Sequence, residues 1–82
     1  MTLFLADLPN GAAATVDHVV ADGAPLDAQQ LQRLGALGFL PGEPVQVLRR
    51  GPGGREPLAV QVGSSLFALR LAEARCIAVT PV

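Results

Sequence analysis

Turn-forming clusters recur so often along this chain that no long regular element has room to form. Pro9-Asn10-Gly11, Ala21-Asp22-Gly23-Ala24-Pro25, Pro41-Gly42, Gly51-Pro52-Gly53-Gly54 and Gly63-Ser64-Ser65 divide it into short pieces. Glycine supplies positive φ and proline a fixed φ with no N–H to donate, so each cluster turns the chain. Most of the intervening pieces alternate apolar and polar residues, the pattern of strands with one buried face. The chain has 82 residues, enough for one core, and residues 1–82 read as a single folded unit with no room for a second.

The apolar periods place the elements. Leu5 and Leu8 form a short helical turn before Pro9, placed to plug one end of the core. In residues 12–20, Ala14, Val16, His18 and Val20 share one face, with Thr15, Asp17 and Val19 on the other. Asp27, with Gln30 three positions on, has the spacing of an N-cap and capping box, and Leu31, Leu34 and Leu37 then recur at helical spacing up to Gly38. One amphipathic helix over about residues 28–37 is predicted. Gly35 inside it costs roughly 1 kcal/mol relative to Ala, which points to a close backbone approach there.

Val45 and Val47 share a face of the next strand, and the Gly-rich turn returns the chain to Leu58, Val60 and Val62 as a hairpin. Phe67, Leu69 and Leu71 face inward on the following strand, opposite Leu66, Ala68 and Arg70. A helical turn over 72–75 leads to a last strand with Ile77 and Val79 inward, closed by Pro81. The expected fold is mainly β: a small SH3-like barrel of about five antiparallel strands, one amphipathic helix and short helical turns, with closure as the means of removing strand edges.

Composition excludes several functions. Lys and Arg together number six against seven Asp and Glu, for a net charge of −1, so no broad positive field draws in nucleic acid. There is no Tyr or Trp, and three Phe are better spent in the core than as stacking platforms. The apolar Leu3-Phe4-Leu5 lacks a positive flank and meets Asp7 before a signal-length core forms. No apolar run approaches the ~20 residues of a membrane span. A cytoplasmic protein without direct membrane insertion is expected.

The chain offers little for catalysis. His18 is the single histidine and has no nucleophile near it in sequence, and Cys76, the single cysteine, sits in an apolar strand-like run where a small core residue is expected. One His and one Cys match no zinc spacing, so no tight transition-metal site and no cofactor is expected. Asp17 or Asp22 are the candidate oxygen ligands for a hard cation, although neither spacing nor a ligand cluster supports them. The Gly-rich turn joins two strands and opens no helix, so it is a hairpin and not a phosphate loop. Arg49, Arg50 and Arg55 bracket that turn, either guarding a sheet edge or meeting an acidic partner. Leu40, Leu66 and Val19 fall beside or opposite the inward faces, as an exposed contact patch would.

The run Leu31-Gln32-Arg33-Leu34-Gly35-Ala36-Leu37-Gly38-Phe39-Leu40-Pro41-Gly42 resembles the signature of ferrous iron transport protein A, FeoA. Val45-Gln46-Val47-Leu48-Arg49-Arg50, Glu56-Pro57-Leu58, Phe67-Ala68-Leu69-Arg70, Glu73-Ala74 and Ile77-Ala78-Val79 are similar to that family in order and spacing. Gly63-Ser64-Ser65 departs from it, where the family often carries an Arg-Gly pair or an aromatic. Similar domains end iron-dependent repressors, but no helix-turn-helix precedes this one, so a stand-alone domain is expected.

The resemblance implies an SH3-like cytosolic accessory protein of bacterial Fe(II) uptake, not an enzyme, partnered with the membrane permease FeoB and its GTPase domain. Phe39, Leu40, Arg49, Arg50 and Leu66 are the expected partner-binding residues, at the corner after the helix, the Arg-bearing hairpin and the exposed face of the fourth strand. Self-association is a second expected mode of contact. An iron or nucleotide sensor is the alternative reading.

Overall fold

The computed structural model describes residues 3–20 and 27–82. Six strands form one antiparallel sheet in the order β1-β6-β2-β3-β4-β5. They are β1 (Leu3–Phe4), β2 (Ala13–Val19), β3 (Pro44–Arg50), β4 (Leu58–Val62), β5 (Ser65–Leu69) and β6 (Ile77–Pro81), with helices α1 (Ala28–Leu37) and α2 (Leu71–Ala74). The SH3-like, mainly β class agrees with the sequence reading. The strand count exceeds it by the two-residue β1, which is too short to show an alternating pattern. The sheet is also not closed: among the described residues β1 and β5 remain its two edges.

The core is aliphatic, as an apolar inventory rich in Ala, Val and Leu requires. Val16, Val47, Leu58, Val60, Leu69 and Ile77 are fully buried on the inner face. Leu5, in a 3-10 turn over Leu5–Asp7, and Leu8 close one end, as the sequence led us to expect. Burying side chains of this size contributes about 1.5–3 kcal/mol each.

Helix α1 begins where the caps predict. The Asp27 carboxylate accepts from the Gln30 amide at 2.8 Å, and the Gln30 side chain accepts from the Asp27 amide at 3.0 Å. At its other end Gly38 has φ 115°, a left-handed conformation that Gly adopts without a Cβ penalty. Leu34 is fully buried beneath the helix. Gly35 does not mark a close backbone approach: a Cβ there would find only the Leu40 Cδ2 methyl, at 4.0 Å. Gly51 is where the sheet needs the missing side chain, since a Cβ there would collide with the Glu56 carbonyl.

Two bulges reset the alternation that the sequence pattern assumed. The β2–β6 register shifts between Val16 and His18, and the β3–β4 register between Val47 and Arg49. An extra residue in one strand reverses the facing of everything beyond it. His18, expected inward with Val16, is therefore exposed, and Val19, expected outward, packs partly buried against the core. At the second bulge Leu48, outward by alternation with Val47, is 38% exposed; the shift keeps Arg49 outward as well and carries Arg50 toward the interior.

Candidate partner-binding surface

The five expected contact residues separate into two groups. Leu40 is 51% and Leu66 66% exposed. Leu40 is held out because the helix ends at Gly38: the reversed backbone sends Phe39 into the core and leaves the next side chain outside. Leu66 is outward by simple alternation with the half-buried Phe67 and the buried Leu69. Arg49 is exposed on the outer face of β3, opposite Ala59 of β4.

Phe39 and Arg50 belong to the structure's interior support. Phe39 is 1% exposed, its ring tilted against Phe67 with centroids 6.2 Å apart, so a partner has no access to it. Arg50 points past the bulge: its Nη2 donates to the carbonyls of Ala6 at 2.8 Å and Leu8 at 2.7 Å. These charge-assisted bonds tie β3 to the N-terminal turn. Nor do Arg49 and Arg50 guard an edge, because β3 lies inside the sheet between β2 and β4. Leu48 is an exposed apolar residue that the expected contact set omitted, although alternation with the buried Val47 already places it outward.

Ala59 of β4 and Ala68 of β5 are cross-strand neighbours in line with Arg49. Their small side chains floor an open groove of about 430 Å³ bordered by Arg49, Pro52 and Pro57. On the helical side, the Arg33 guanidinium meets Glu73 at 3.1 Å, and Glu73 also accepts from the Arg70 amide at 2.9 Å, so one carboxylate joins α1 to α2.

The chemistry-bearing side chains are mostly committed to the fold. Cys76 is fully buried and its Sγ donates to the Ala72 carbonyl at 3.3 Å; burial, with Glu73 nearby, pushes the thiol's pKa up and away from reactive thiolate. Asp17 accepts the Thr80 hydroxyl at 2.8 and 2.9 Å, and Asp22 lies outside the described residues. Among the described residues no group of three or more His, Cys, Asp and Glu is placed to hold a metal ion. No described helix is long and apolar enough to cross a membrane.

The FeoA domain profile matches residues 4–81, nearly the whole sheet and both helices. The chain belongs to the FeoA family. Solved FeoA structures agree in both sequence and fold. FeoA of Stenotrophomonas maltophilia, in complex with zinc, is 46% identical over 96% of this chain and 88% of its own, with a TM-score of 0.78. FeoA of Chlorobium tepidum is 31% identical over 98% of this chain and 70% of its own, with a TM-score of 0.83. A manganese-dependent transcriptional repressor shares the fold alone, at 22% identity and TM-score 0.79 over 42% of its length. No match was found among curated proteins. Within this FeoA fold Leu40, Leu66 and Arg49 are among the exposed side chains that the core, the caps and the Arg33–Glu73 ion pair do not use.

Proposed function

We infer that this FeoA domain serves bacterial ferrous iron uptake as a cytosolic accessory protein, binding the FeoB permease and its GTPase domain and catalysing no reaction itself. Family membership carries the transport role. The observation that favours action by contact is the pair of large aliphatic side chains, Leu40 and Leu66, held in solvent by a fold whose Cys76 and Asp17 are engaged within it. Exposed apolar side chains and an exposed arginine fit the composition of protein interfaces, where a few such residues supply most of the affinity.

The test is binding of purified FeoA to detergent-solubilised FeoB with the nucleotide state of the GTPase domain varied. Saturable binding is expected, weakened at least tenfold by Leu40→Asp or Arg49→Glu in variants that keep wild-type circular dichroism. Absence of binding in every nucleotide state overturns the partner. Unchanged affinity in both variants overturns the surface.

A further inference from the structure

Among the described residues, strand β5 has a hydrogen-bonded neighbour on one side only. It follows β4 through the two-residue turn Gly63-Ser64, with Gly63 at φ 58° and Val62 opposite Ser65. A turn of this kind closes with the i to i+3 bond, which places the ladder bonds at Ser65, Phe67 and Leu69. The N–H and C=O groups of Leu66 and Ala68 therefore point away from β4. No hydrogen bond to either residue's backbone comes from a turn, loop or side chain among the described residues. The opposite edge, β1, is two residues long.

Exposed edges in soluble proteins are usually blunted by charge, proline or a bulge. From Gly63 to Leu69 there is neither a charged residue nor a proline, and the β4–β5 register runs without a shift. This edge is also self-complementary. Antiparallel pairing of two β5 strands about Phe67 sets Leu66 of one copy against Ala68 of the other, twice. Every outward N–H then meets an outward C=O. On the outer face each Leu66, 66% exposed, extends the row Ala68, Ala59, Arg49 of the other copy and falls at the end of the groove floored by the two alanines. Arg70 falls opposite Ser64, so no like charges meet.

We propose that β5 is a homodimer edge: two copies join their sheets through antiparallel β5 pairing, with each Leu66 seated over Ala68 and Ala59 of the other. The contact is a short strand pair and smaller than the ~1,200 Å² of standard interfaces, so the dimer forms reversibly and at high concentration.

Sedimentation velocity from about 10 µM to about 1 mM covers the range expected for so small an interface. The sedimentation coefficient of the wild type should rise from monomer toward dimer, and the amides of Leu66 and Ala68 should gain exchange protection in step. Ala68→Pro removes an outward N–H that β4 does not use, and Leu66→Lys removes the apolar seat and adds like charges. Each should weaken dimerisation at least tenfold while preserving the monomer's amide spectrum; if Ala68→Pro perturbs folding, Leu66→Lys decides alone. A wild type that stays monomeric throughout, including one whose edge is protected only by a different protein, overturns the proposal. So does a dimer that both folded variants leave intact.

Discussion

Replacing Arg50 by Met should destabilise the fold, whereas the same change at its neighbour Arg49 should not. Methionine keeps most of the aliphatic stem and removes only the guanidinium. What is lost are two charge-assisted bonds from one nitrogen, to the Ala6 carbonyl at 2.8 Å and the Leu8 carbonyl at 2.7 Å. A hydrogen bond to a charged group contributes about 1.5–3 kcal/mol. The two share a donor atom and the site is only part-buried, so water recovers some of the loss. About 2 kcal/mol for the pair is the resulting magnitude. In a domain of this size, 1 kcal/mol moves the midpoint by about 4–8 °C, so Tm should fall by about 8–16 °C. Arg49 is exposed and makes no such bond among the described residues, and a surface change of this kind should stay within about 0.5 kcal/mol. With no Trp or Tyr in the chain, far-UV circular dichroism during urea and thermal unfolding is the suitable readout. Equal, small effects at both positions would refute the argument that Arg50 anchors the N-terminal turn.

Gly35→Ala should stabilise the domain by about 0.8–1 kcal/mol, the helix-interior difference between the two residues, because the added methyl meets only Leu40 Cδ2 at 4.0 Å; a lower urea midpoint would show that the position is constrained after all. Cys76 should control part of the alkaline stability. Its folded pKa is raised by burial and by Glu73, so its contribution is complete below the ordinary thiol value of 9.0 and is lost as pH rises through the folded pKa. Urea midpoints of the wild type should accordingly decline above pH 9.0 more steeply than those of Cys76→Ala; parallel curves would remove the thiol from the account.

Local chemistry was legible in the chain. The cap at Asp27, the left-handed Gly38, the Gly-rich hairpin turn and the inward Val60, Val62 and Leu69 all depend on contacts within a few residues, and each lies where the pattern predicts. The family signature, too, is a property of sequence order, and it agrees with the match over residues 4–81.

The candidate site was only half legible, and the residues show why. Leu40, Leu66 and Arg49 are exposed as expected, but neighbours one position away, Phe39 and Arg50, are turned inward. Alternation alone cannot place a bulge, because a bulge depends on how one strand pairs with another distant in sequence. The shifts at Asp17 and Leu48 exist only relative to β6 and β4. The same is true of the open edge: Ser65–Leu69 has the pattern of any half-buried strand, and only the sheet order leaves its outer backbone groups without a partner. The sequence by itself determined the helix caps, the hairpin turns and the presence of helix α1 and the longer strands, since propensity and capping act locally; the short β1, the facing of residues beyond the bulges, and the free edge of β5 were decided by long-range pairing in the tertiary structure.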